Sequence, residues 1–389
     1  MDKSFNQFSR ADIVVVGAGL AGVCTAVTAA RRGARVALIE KESIPGGAAV
    51  GLRHRFLCGL FPNSVGIPRK YLNRGLTEEF CERLSPGVQP VRMGKVWLLP
   101  YDLRQLIATL VDLLAHEKNI KVSYCAKINT LSCQQGHIES VRYVHHGKYY
   151  ELKASVFIDA GAGVLLQKCG AAQPPDLSRR QMSGYALELA GIPWDDVLPI
   201  RVPYVLYQAV KRGDLPLYAR WTAVSASGQK DGVYVKTSLP VTAALSLARK
   251  TATSIVKTLR QELMAFRRGK IVWHAQDVFL RDGDRLRGQY VLKDKDVLEG
   301  KKFSDGIVRG AWPMEFWDSH RGPTYRYLDE DHYELPVRSI TARNVSNLFA
   351  AGRCVSADPG AQASLRVGGL CIAMGEAAGN AAVDHLRNV

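Results

Sequence analysis

Gly17, Gly19 and Gly22 stand at the spacing of a turn that admits a pyrophosphate, and Glu40 follows Gly22 by eighteen residues. Each glycine has its own reason. Gly17 makes a tight turn, Gly19 lets backbone approach the phosphates, and Gly22 lets a helix lie close to a strand. The amides of Leu20 and Ala21 head that helix, where unpaired N–H groups and the helix dipole favour an anion. Glu40, with Lys41 beside it, stands where ribose hydroxyls would find an acceptor. Together these residues describe a site for an adenine dinucleotide.

Such a motif is informative only in its structural context. Ile13-Val14-Val15-Val16 reads as a buried parallel strand, residues 23–30 as a helix of small apolar residues, and Arg31-Arg32-Gly33 as its stop. Residues 35–39 form a second strand that ends at Glu40. The apolar run 13–30 has the length of a membrane span, but three glycines at turn spacing argue for a strand–turn–helix unit. Asp2, Asp12 and the same glycines do not make a secretory signal. The expectation is a soluble, cytoplasmic protein without a membrane span.

Length and composition agree. The chain has 389 residues and 47% hydrophobic content, enough for one large or two medium domains. Its eight cysteines are scattered and no pair forms Cys-x-x-Cys, a pattern of reduced thiols with no metal site. The net charge of +16 fits an acidic redox partner protein, an anionic substrate or nucleic acid, of which nucleic acid is the least favoured. Much of the excess lies between Arg249 and Lys270. Oligomeric state is not legible.

Further along, residues 41–68 are glycine-rich and loop-like, and 102–118 have helical spacing. Residues 120–124, 128–133, 138–145 and 149–156 read as a β-meander that runs into Phe157-Ile158-Asp159-Ala160-Gly161. His145-His146 falls at a turn of that meander and is expected to be exposed. A helix is expected near 242–267, a loop over 354–367, and a small-residue helix over 368–383.

In this order the pieces resemble the FAD-dependent oxidoreductases built like glutathione reductase. Within them the likeness is greatest to the family that includes the flavin subunits of heterodisulfide reductase-type complexes. The resemblance rests on residues 13–22, on Glu40, on the glycine pair Gly46-Gly47, and on the return motif from Phe157 to Gly161. It extends to Pro336-Val337-Arg338-Ser339, to Ala351-Gly352-Arg353 and to Ser364-Leu365-Arg366-Val367. It implies an α/β fold: a Rossmann-like FAD-binding domain of parallel sheet and β-meander, with an inserted α+β substrate or cap domain. The FAD-binding domain would comprise residues 10–70, 100–170 and 336–389, and the cap 175–335. FAD is the implied cofactor. Gly46, Gly47, Ala160, Gly161, Gly352, Arg353, Ser364 and Gly368 are the implied cofactor contacts beyond the first motif. The chain departs from the family in four ways, the first being a return motif that reads Ala160-Gly161-Ala162-Gly163 where relatives often place an acid after the glycine. No Cys-x-x-x-x-Cys pair surrounds Cys58, no iron–sulfur motif is present, and no second dinucleotide fold offers a nicotinamide site.

Flavin carries the redox chemistry and the protein supplies orientation and charge. Arg366, ahead of a small-residue helix, is expected near the flavin's N1–C2=O edge. His54 and Arg55, with Arg53, follow the glycine pair and are candidates for binding an anion or moving a proton. His320, with Arg321 and Tyr325, is a candidate on the substrate side. The expected activity moves a hydride or electron pair between a small organic substrate and an acceptor. The alternatives are an electron-transfer flavin subunit of a larger complex and, on charge alone, an RNA-modifying flavoprotein.

Overall fold

Strand β1 (Ile13–Val16) is buried along its whole length, as a strand covered on both faces must be. The computed structural model describes residues 9–388. Helix α1 (Leu20–Arg31) follows β1, and β2 (Val36–Ile39) lies parallel to it. The five-stranded parallel sheet runs in the order Leu348–Ala350, Val156–Asp159, β1, β2, Ile120–Ser123. Its register places Val16 opposite both Ile39 and Asp159, and Asp159 opposite Ala350. The carboxyl ends are therefore level, and Gly17, Glu40, Ala160 and Ala351 leave the sheet along one edge. Ligands of open α/β sheets bind along that edge.

The strand over 120–123 is a parallel member of this sheet, paired with β2, and not part of the meander. The meander is the antiparallel set Ala126–Gln134, His137–His145 and Lys148–Lys153. Its inward residues, Ile138, Val141 and Leu152 among them, join the main core. His145 joins them as well. It is 6% exposed and its ring packs against Tyr150, because it occupies an inward position on its strand, and only His146 is exposed.

The C-terminal helix Gly368–Asn388 lies against α1 at close range. A Cβ on Gly375 would come within 2.3 Å of the Ala21 carbonyl oxygen, and one on Gly379 within 2.8 Å of that of Thr25. The small residues of this helix serve that contact. Residues 354–367 are not all loop: Pro359–Leu365 is helical, with Asp358 at its N-cap and proline at the first turn.

The chain divides into two units. Among the described residues, the first runs to 176 and takes in 283–315 and the chain from 326 onward, and the second is 177–282 and 316–325. Residues 283–315 and 326–335, expected in the cap, thus belong with the first unit. Gly306–Gly310 pairs with Tyr333–Pro336, and Val308, Trp312, Tyr333 and Leu335 bury in its core. The second unit is an antiparallel sheet in the order Ala223–Ala226, Gly232–Leu239, Ser183–Ala190, Lys270–His274, with helices Leu198–Lys211 and Leu245–Glu262. No helix among the described residues is long and apolar enough to cross a membrane.

Candidate cofactor site

The turn after β1 is held by contacts only glycine permits. Gly17 has φ +98°, and a Cβ there would lie 2.5 Å from the Gly161 Cα. A Cβ on Gly22 would lie 1.7 Å from the Gly17 carbonyl oxygen. Gly19 differs: its backbone is extended (φ −67°, ψ 179°), and a Cβ would meet no protein atom within 4 Å. The protein therefore confines Gly17 and Gly22, while Gly19 keeps the approach to the helix N-terminus clear. The first turn of α1 contains no acidic residue, so its dipole end is open to an anion.

Glu40 is buried at the end of β2, and one carboxylate oxygen accepts from the Ala18 amide. The other accepts from the Glu42 amide at 2.9 Å. A carboxylate has about four acceptor positions, so Glu40 can hold the turn and still accept from a ribose. Lys41 is exposed and pairs with Glu42 at 3.2 Å, turned to solvent.

Gly46 and Gly47 close over this turn. The Gly46 amide donates to the Ala18 carbonyl at 2.7 Å, and a Cβ on Gly47 would lie 3.1 Å from the Gly19 Cα. Helix α2 (Gly47–Gly51) ends in Arg53 at φ +49°, followed by His54 and Arg55, both half-buried. The His54 amide donates to the Ala49 carbonyl, and the Arg55 carbonyl accepts from Tyr101, next to strand β3 (Phe56–Leu57).

Asp159 is an acid that sequence reasoning passed over. Fully buried, it accepts from the amides of Gly161, Gly163, Leu165 and Leu166 at 2.7–3.2 Å. Burial pushes its carboxyl upward and these bonds oppose that shift. It thereby shapes the return turn that puts Gly161 on Gly17, with Ala160 half-buried beside it. An acid ending an apolar strand was the available signal.

The C-terminal block meets the same region. Gly352 has φ +75° and its Cβ position lies 3.2 Å from the Ala21 Cβ. The Arg353 carbonyl accepts from the buried Gln362 at 3.3 Å. A Cβ on Gly368 would meet Leu57 and Leu20, and the Gly369 amide donates to the Cys58 carbonyl at 2.8 Å. Arg366 is half-buried and donates through Nη2 to the Glu315 carbonyl at 3.2 Å. Burial lowers its pKa, with the Glu315 charge opposing. Next to it, burial raises the Cys371 thiol to about 12.

Ser364 and His320, two further expected site residues, have structural surroundings of their own. The Ser364 hydroxyl is fully buried, donating to the Trp312 carbonyl at 2.5 Å and bonded to the Tyr333 hydroxyl at 2.7 Å. It therefore fastens 312 and 333 to the core. His320 belongs to the second unit, exposed in a turn where Asp318 accepts from the amides of His320 and Arg321 at 2.8 Å each.

The residues present fit a dinucleotide that carries a flavin. Confined Gly17 and Gly22, open Gly19, uncapped α1 and buried Glu40 would receive the ADP half, and Gly46-Gly47 and the block around Gly352 and Gly368 adjoin them. The family model described as FAD dependent oxidoreductase matches residues 12–176 and 194–388. Comparison with curated protein sequences gives no match. Among solved structures, a geranylgeranyl bacteriochlorophyll reductase-like protein from Thermoplasma acidophilum shares the fold at 11% identity and TM-score 0.50, covering 98% of this chain and 79% of that one. A p-nitrophenol 4-monooxygenase from Pseudomonas putida aligns at 12% identity and TM-score 0.47, covering 97% and 81%. The chain belongs to the FAD-dependent oxidoreductase family, and FAD is its cofactor.

Proposed function

We propose that this protein transfers a hydride or electron pair between a small organic substrate bearing negative charge and an acceptor. Bound FAD supplies the two-electron chemistry; the chain supplies charge and position. The observation that carries the reading is the segment after the glycine pair. Arg53 occupies the left-handed position that ends α2, where glycine is usual and another residue costs about 1–2 kcal/mol. Backbone strain of this kind concentrates at functional sites. Arg53 is followed at once by half-buried His54 and Arg55. Three consecutive basic side chains would orient a carboxylate or phosphate, and the His54 imidazole is the group placed to move a proton to or from the substrate.

Titration of the FAD-loaded protein with matched carboxylates, phosphates and neutral amides, followed by flavin absorbance, tests this. Anionic compounds should perturb the spectrum, and Arg53→Gln and Arg55→Gln should each weaken them by roughly tenfold, the loss of one charge-assisted contact. Equal perturbation by the neutral amides would overturn the reading.

A further inference from the structure

The helix Leu245–Glu262 of the second unit presents Lys250, Thr253, Lys257 and Arg260 at three- and four-residue spacing, all exposed on one face. That face borders a groove of about 350 Å³ lined by Thr253, Val256, Lys257, Arg260, Gln261 and Ile271. The opposite wall is the strand Lys270–His274, which ends its sheet. Ile271 is 40% exposed and Val272 59%. Natural proteins cover or charge an edge strand that exposes such residues. Here the ladder slips between Glu188 and Leu189 and leaves an extra residue on the edge strand, which turns the edge away from simple strand addition. The groove, not the row of edge amides, is the surface available for docking.

Its charge selects the occupant. From Arg249 to Lys270 the chain carries seven Lys and Arg against Glu262 alone, and Glu262 is held by Arg212 at 2.8 Å. Two copies of this face would set like charges against each other. Nucleic acid would satisfy the charge, but the lining has no aromatic side chain for a base to stack on and would leave Ile271 uncovered. We propose that the groove binds an acidic segment of a partner protein, with its apolar side chains on Ile271 and Val272 and its carboxylates on Lys250, Lys257 and Lys270.

The FAD-loaded full chain, presented with a displayed library of random short peptides, tests this. Selection should enrich Asp and Glu interspersed with Leu, Ile or Phe. Binding of the synthetic peptides should fall as salt rises, and Lys257→Glu with Lys270→Glu should weaken it roughly tenfold or more. Val272→Ser should weaken it at unchanged net charge. Lys257→Gln with Lys270→Gln repeats the test without charge reversal, and an unchanged circular dichroism spectrum and thermal unfolding curve report an intact second unit. The proposal is overturned if acidic peptides are not enriched, or if the variants bind them as the parent does. It is equally overturned if the charge variants change only self-association, or only the binding of an RNA oligonucleotide.

Discussion

Gly19→Ala separates the glycine that serves the ligand from those that serve the chain. Its backbone is extended and a Cβ meets no protein atom within 4 Å, so alanine enters without strain. Lower unfolded-state entropy favours alanine by about 0.4–1 kcal/mol. Gly19 is also the N-cap of α1, where alanine is worse than glycine by a similar amount. The two nearly cancel, and the apoprotein should keep its stability to within about 1 kcal/mol. FAD affinity should not survive as well, because the methyl stands where a pyrophosphate must approach the α1 amides. Losing one charge-assisted hydrogen bond costs about 1.5–3 kcal/mol, or about 10- to 150-fold in Kd. Gly17→Ala is the contrast. With φ +98° and a Cβ 2.5 Å from the Gly161 Cα, left-handed strain of about 1–2 kcal/mol and overpacking of about 1–3 kcal/mol add to about 2–5 kcal/mol of lost stability. Denaturant unfolding of each apoprotein gives the first quantity and flavin fluorescence titration the second. If Gly19→Ala binds FAD as tightly as the parent, the pyrophosphate does not lie at this turn.

Glu40→Gln should weaken FAD binding by about 1–3 kcal/mol, because charge-assisted bonds become neutral ones; full retention of FAD after gel filtration would contradict the ribose assignment. Arg366→Leu should lower the two-electron potential of bound FAD, at about 30 mV for each 1.4 kcal/mol of lost stabilisation of the reduced charge. An unchanged potential measured with redox dyes would make Arg366 a structural residue, bonded to the Glu315 carbonyl among its contacts. In the native protein Cys125, the exposed thiol, should react with a thiol reagent before Cys24, Cys81, Cys354 and Cys371, which burial keeps protonated at pH 8; simultaneous reaction would mean the first unit opens readily. Cys58→Ser should keep most substrate-driven flavin reduction, checked by anaerobic absorbance.

The dinucleotide turn was legible because its physics is local. A buried β-branched strand, glycines where a Cβ has no room, and an acid at the end of the next strand all act within the first forty residues. The return strand Val156–Asp159 was legible for the same reason, an apolar run ending in small residues. Long-range packing decided the rest. Ser364 looks like a cofactor contact beside Arg366, yet Trp312 and Tyr333 arrive from 52 and 31 residues earlier to take its hydroxyl. Asp159 was visible as an acid, and its four amide partners follow it within the next turn; its complete burial is what packing against the rest of the chain decided. Residues 283–315 carry no signal that assigns them to the first unit, because strand pairing between 306–310 and 333–336 is a choice of partner and not of propensity. From the sequence alone came the turn, the cofactor class and the parallel sheet, since periodicity and sterics act between neighbours. The tertiary structure alone decided which faces are buried and which polar groups are consumed by the core, since those depend on segments that meet only in the folded chain.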